Sequence, residues 1–139
     1  PAMDHLAFNQ QIIDEFRSNA GVCTGPFEGA PMILVTMTGA KSGRQLCSPL
    51  VYSTNGDDPV IIASKGGATT HPNWYHNLVA NPDCTVEIGT EKYQATAVLT
   101  HADERKRLFD AQAEIMPGFV QYEIDASPRE IPVFRLTRN

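Results

Sequence analysis

The sequence predicts an α+β fold dominated by antiparallel β: a barrel with helices packed around it. Two β-prone runs, residues 46–53 and 59–64, flank Asn55-Gly56, a strong short-range hairpin signal. Two more, 84–88 and 93–99, flank Gly89-Thr90-Glu91. Between Met32 and Ala63 there is no room for the crossover helix that parallel neighbours require.

The elements follow in order. Leu6, Phe8, Ile12, Ile13, Phe16 and Ala20 recur largely at helical spacing after Asp4, and Gly21 is placed to end that helix. Its apolar stripe reads as core packing, and its polar face has almost no basic charge for a membrane surface. Residues 21–31 are a Gly/Pro-rich connector, and Met32 to Thr38 a β-branched, apolar strand. Residues 71–81 read as a short helix with Pro72 in its first turn and Asn81-Pro82 at its end. Alternation of Tyr93, Ala95, Ala97 and Leu99 with Gln94, Thr96 and Val98 buries one face of that strand more than the other. Thr100, with Asp103 three residues on, predicts a capped helix start. Leu108, Ala111, Gln112 and Ile115 would share its buried face, with a stop before Pro117. Residues 131–136 make the closing strand. The expectation is one domain overall, with 1–31 an N-terminal helix and connector and 32–139 the barrel.

At 139 residues the chain can bury roughly two-thirds of its unfolded surface. A net charge of −5 and no basic stripe exclude bulk nucleic-acid binding. Any anion site must therefore be local, built from Lys41, Arg44, Lys65 or Arg129. Cys23, Cys47 and Cys84 are odd in number and lack metal or redox spacing, so they read as reduced thiols packed as small hydrophobes. His5, His71, His76 and His101 form no zinc-like set, and no metal is expected. With no signal peptide and no apolar run near ~20 residues, a cytoplasmic protein is expected. Peripheral membrane association and an upstream segment before Pro1 stay open, as does the choice between monomer and homodimer.

Two segments carry the functional signal. Thr36-Met37-Thr38-Gly39-Ala40-Lys41-Ser42-Gly43-Arg44 and Ala63-Ser64-Lys65-Gly66-Gly67-Ala68 each run from a β-prone stretch into a small-residue turn bearing a lysine. Glycine permits backbone angles that turn successive N–H groups to one side, and a lysine there adds the point charge a phosphate requires. Two such turns suggest a ligand with more than one anionic group. No nucleophile elbow or P-loop exists, so hard chemistry would fall to a bound cofactor.

These turns, with Ser48-Pro49-Leu50, His71-Pro72-Asn73-Trp74-Tyr75, Asn77-Leu78 and Asn81-Pro82, closely resemble the deazaflavin-dependent nitroreductase family of actinobacteria. The likeness runs in order from Phe8 to Ile131-Pro132-Val133. It implies a split β-barrel and coenzyme F-420, whose phosphate and oligoglutamate tail suit two lysine turns. The implied activity is hydride transfer from the reduced deazaflavin to activated double bonds, quinones or nitro-compounds, with a small hydrophobic electron acceptor as partner. Carried over by residue, Lys41, Ser42 and Gly43 would meet the phosphate or tail. Ser64, Lys65, Gly66, Gly67 and Ala68 would line the deazaflavin and its phosphate arm, with Trp74 and Asn77 supporting that wall. Arg44, Ser48, Pro49 and Ala63 complete the cofactor set. Tyr122 matches a tyrosine in a loop over the substrate and is the candidate catalytic group. Ala40 and Leu46 stand where many relatives are basic, a loss Arg44 could offset. Val51, Met116 and Phe119 replace aromatic substrate-pocket positions. A deazaflavin carrier without turnover and an FMN-binding oxidoreductase of the same fold are the alternatives.

Overall fold

A computed structural model describes the backbone of residues 2–139 and the side chains of residues 7–139. The expectations resting on the side chains of Asp4, His5 and Leu6 lie outside the described residues. Seven strands form one sheet: β1 (Met32–Thr38), β2 (Gln45–Val51), β3 (Ser53–Asn55), β4 (Asp58–Ile62), β5 (Asp83–Ile88), β6 (Glu91–Leu99) and β7 (Val133–Arg138). Their order is β2-β1-β5-β6-β7-β4-β3, with every neighbouring pair antiparallel.

The two sheet edges, β2 and β3, are consecutive in the chain with only Tyr52 between them. In a flat sheet six inter-strand gaps of about 4.8 Å would hold those edges about 29 Å apart. Two residues of extended chain reach only about 7 Å. The sheet must therefore curl into a barrel, split where its edges meet. This corrects the predicted hairpin: only Ser53–Asn55 pairs with β4, while Gln45–Val51 pairs with β1 at the opposite edge. Pro49, which cannot donate to a ladder, sits on edge strand β2, where that defect is tolerated.

Strand β1 is apolar on both faces because both are covered. Ile33, Val35 and Met37 fill the barrel with Ile61, Val86, Phe134 and Leu136. Met32 and Leu34 pack outward against Ile12, Ile13 and Phe16 of helix α1 (Ala2–Ser18). Burying each of those three helix side chains stabilises by about 1.5–3 kcal/mol. The Arg17 side chain ties α1 to Glu87 of β5 at 2.9 Å. Beyond α1 both Ala20 (φ 54°) and Gly21 (φ 89°) have positive φ, and the Gly21 N–H caps back to the Phe16 carbonyl at 2.8 Å. Gly21 serves a close approach: a Cβ there would sit 2.7 Å from Gly89 Cα.

A second core lies outside β4 and β7, where Val60, Ile62 and Val133 meet helices α3 (Ala102–Ile115) and α4 (Gly118–Ala126). Helix α3 buries Arg105, Leu108, Phe109 and Gln112, whereas Ala111 and Ile115 face solvent, contrary to expectation. The guanidinium of Arg105 turns inward because two of its nitrogens donate to the Ile131 carbonyl at 3.0 and 2.8 Å and its plane lies over the Phe109 ring. Thr100 is not the cap of α3: His101 holds that position, and the Thr100 hydroxyl donates to the Val133 carbonyl at 2.8 Å. The closing strand runs two residues later than expected, Val133–Arg138. Helix α2 (Asn73–Ala80) buries Leu78 in the barrel core and stacks Trp74 and Tyr75 on Phe134. No described helix is long and apolar enough to cross a membrane.

Gly21→Ala will lower the denaturant midpoint well below that of Gly25→Ala. Both positions have positive φ, so an alanine at either is strained by about 1–2 kcal/mol through the clash of its Cβ with the backbone. Only Gly21 adds a collision with Gly89, since nothing lies within 4 Å of a Cβ at Gly25. Equal midpoints would show that the connector yields there.

Candidate active site

The split of the barrel opens into a cleft of about 850 Å³. Its walls come from α1, the 3-10 turn Gly25–Phe27, β2, the turn after β4, α2, and the junction of α3 with α4. Of the expected site residues, Ser48, Pro49, Val51, Ser64, Lys65, Gly66, Trp74, Asn77, Met116, Phe119 and Tyr122 line it together. Lys65 is the only cationic side chain in the lining among the described residues. Ser48, Ser64, Lys65 and Asn77 are among its polar groups, and Leu46, Leu50, Val51, Ile62, Met116 and Phe119 among its apolar ones.

Ser64 and Lys65 belong to the turn after β4. Ser64 is right-handed (φ −71°, ψ −37°), and Lys65, Gly66 and Gly67 follow at φ 49°, 62° and 86°. A right-handed residue followed by left-handed ones turns successive N–H groups to one side, the geometry of an anion nest. For Lys65 the left-handed conformation costs about 1–2 kcal/mol, so its surroundings must hold it there. Its ammonium group donates to the Thr70 hydroxyl at 3.0 Å. Ala63, Gly67 and Ala68 lie outside the lining, Ala63 wholly buried. Gly67 serves packing: a Cβ there would stand 3.1 Å from Tyr122 Cα, so α4 rests directly on this turn.

Arg129, one of the four candidate anion ligands, faces away from the cleft. It donates to the carbonyls of Ala63 (3.0 Å), Ser64 (2.9 Å) and Ala68 (2.7 and 3.0 Å), and stands 3.0 Å from His71 Nδ1. With all five N–H groups engaged, it has none left for a ligand. His71 is consequently held neutral at Nδ1. Burial first, then the Arg129 charge, then His76 push its pKa below the ordinary 6.5.

The other lysine turn stands at the rim. Lys41, Ser42, Gly43 and Arg44 are exposed and outside the lining. The turn is closed by Gly39 N–H to the Arg44 carbonyl at 2.8 Å, and a Cβ at Gly39 would displace the Ser42 hydroxyl, 2.5 Å away, which accepts the Arg44 N–H. Asn77 couples the rim to the cleft, since its Oδ1 accepts the Ala40 N–H at 2.9 Å while its side chain lines the wall.

Tyr122 lies on helix α4, not in a loop, with its ring edge-on to Phe119 at 5.2 Å. The helix forms because Phe119, Tyr122 and Ala126 share one face, at i, i+3 and i+7, and pack on Ile62 and Val133. That stripe was present in the sequence but short, beginning at a glycine. Sequence reasoning did not place Leu50, Ile62, Gly118 or the Phe8–Phe27 pair in the cleft lining; the two rings lie 6.2 Å apart, centroid to centroid. Phe8 departs from the expected buried stripe of α1 and is 41% exposed. Cys23 and Cys84 are buried as expected, and burial pushes the Cys84 thiol up to about 11. Cys47 instead lines the cleft, its thiol also raised by burial.

Below the ordinary histidine pKa, unfolded chains take up a proton that folded His71 resists. Stability is therefore full above about pH 6.5 and falls as pH drops from there toward the lowered folded value. Melting temperatures from pH 7 to 5 will fall more steeply for the parent than for His71→Gln, and parallel curves would contradict this. Gly67→Ala will lower the melting temperature, because its Cβ lies 3.1 Å from both Tyr122 Cα and Asp125 Cβ. An unchanged melt would mean that α4 moves freely.

Comparison with known proteins fits this geometry. The family model described as F420H(2)-dependent quinone reductase matches residues 9–138. A quinone reductase of that description from Mycobacterium tuberculosis is 39% identical over 111 residues, 78% of this chain and 74% of the relative. A solved reductase dependent on reduced F-420 superposes with a TM-score of 0.70 at 36% identity, covering 76% of this chain and 93% of its own. A structure described as a domain-swapped dimer reaches 0.72 at 31% identity, covering 98% and 99%. A split-barrel oxidoreductase with one local cation in its cleft, this chain belongs to the family of quinone reductases that use reduced coenzyme F-420.

Proposed function

We propose that the chain reduces flat hydrophobic quinones, and by the same route conjugated enones, with the deazaflavin held against residues 64–66. The mixed lining of the cleft carries this reading. One cation, Lys65, and the polar groups of Ser48, Ser64 and Asn77 share it with the apolar side chains of Val51, Met116 and Phe119. A cofactor with a flat ring and an anionic arm fits such a site, and 850 Å³ gives room for ring and acceptor together. Reduced coenzyme F-420 supplies the hydride when bound.

The chain's own groups do the rest. Lys65 and the amides of its turn bind the phosphate arm, and Lys41 and Arg44 at the rim meet the more distant charges of the tail. Leu46 and Ala40 add no charge, so the rim is less basic than the family pattern. Trp74, resting on Phe134 at 5.9 Å, gives a fixed support for the ring. Met116 can reshape around varied acceptors. Phe8 and Phe27 shield the mouth from water. Tyr122 orients the acceptor and hands a proton to its oxygen. The match to a domain-swapped dimer supports a homodimer over a monomer, which light scattering would decide.

Titration with purified coenzyme F-420 is expected to show binding at micromolar protein, and a panel of quinones and enones to speed loss of the reduced cofactor's absorbance. Binding without turnover would make the protein a carrier. Tight FMN binding without F-420 binding would overturn the reading. Lys65→Ala should weaken cofactor binding by roughly ten- to a hundredfold, about 1.5–3 kcal/mol, with a smaller loss at high salt. Abolished turnover with an unchanged dissociation constant would give Lys65 a chemical role instead. Tyr122→Phe should lower kcat by about a hundredfold with cofactor affinity unchanged. An unchanged kcat would leave the proton to solvent.

A further inference from the structure

Arg129 is the most fully engaged side chain near the cleft and touches nothing in it. We propose that it is the positioning residue of the cofactor site: its guanidinium holds the carbonyls of Ala63 and Ser64 from behind and so presents the amides of Ser64 and Lys65 to the cofactor's anionic arm. The inference rests on the deazaflavin reading above and deepens it.

Three observations carry it. The carbonyls of Ala63, Ser64 and Ala68 all point to one guanidinium, at 2.7 to 3.0 Å. A peptide plane whose carbonyl is held on one side has its N–H on the other. The Ser64 and Lys65 amides have no hydrogen-bond partner among the described residues, although both residues line the cleft. Their conformation is one a lysine adopts only under constraint, and the bonds from Arg129 to the carbonyls on either side supply that constraint.

The fork geometry is essential to the role. Five N–H groups in one plane serve four carbonyl bonds and His71 Nδ1 at once, which an ammonium with three donors cannot do. Charge alone would therefore not substitute. The role is distinct from that of Lys65, whose charge meets the ligand directly. Loss of Arg129 should blunt the amide contribution while leaving Lys65 in place.

The test compares Arg129→Lys with the parent by fluorescence titration of oxidised coenzyme F-420, with melting curves alongside. The lysine variant is expected to bind at least tenfold more weakly, with the quinone KM at saturating cofactor unchanged. In Arg129→Ala, millimolar methylguanidinium should restore part of the lost affinity. Lysine-variant binding within twofold of the parent, or a quinone KM that rises in step with the dissociation constant, would overturn the proposal. A parent that does not bind coenzyme F-420 would overturn the functional reading instead. A measurement on the unmutated protein holds in either case, and also if the variants do not fold. Titration with inorganic pyrophosphate should move the backbone amide resonances of Ser64 and Lys65 downfield, and amides that stay still would show that the turn offers no cradle.

Discussion

Everything in this molecule depends on Tyr52 joining the two edges of one sheet. A chain that must pass from one edge to the other within two residues cannot lie flat, so the curl follows from covalent continuity and needs no hydrogen bonds along the seam. The curl encloses Ile33, Val35, Met37 and Phe134 on the inside. It also leaves the outer faces of β1 and of β4 with β7 to be covered by helices, α1 on one side and α3 with α4 on the other. The cleft forms where the covering is incomplete, between these helix groups and the seam strand β2.

Two guanidiniums hold the parts of the cleft in place. Arg105 fixes the segment before β7 through the Ile131 carbonyl, and Arg129 fixes the turn after β4 through three carbonyls. Hydrogen bonds to charged groups are worth about 1.5–3 kcal/mol each, enough to offset the strain of one left-handed lysine. Helix α4 then rests on the same turn through Gly67, so the turn bearing Lys65 and the helix bearing Tyr122 share one support. A displacement of either is felt by the other.

The electrostatics agree with this architecture. In an acidic protein, the one lysine lining the cleft makes a local site of attraction for anions, with Lys41 and Arg44 in the neighbouring turn. The half-buried Arg129 charge does not compete for ligand, since its N–H groups are spent and His71 beside it stays neutral.

What the sequence determined by itself was local. The β-branched run of β1, the Gly-Thr turn between β5 and β6, the start and stop of α2 and the two lysine turns were all legible, because backbone preference and apolar period act within a few residues. The ordered motifs were also enough to name the family, the barrel and the cofactor. Only the tertiary structure decided the split of the 46–53 run between two sheet edges, because strand partners are chosen by global closure. It also decided that Arg105 and Arg129 turn inward, since a guanidinium is solvated unless folding brings unpaired carbonyls to it. The same holds for Phe8, drawn from an amphipathic stripe to the cleft mouth, and for Gly67, whose neighbour is a helix more than fifty residues away. Contacts between segments remote in sequence leave no local period to read.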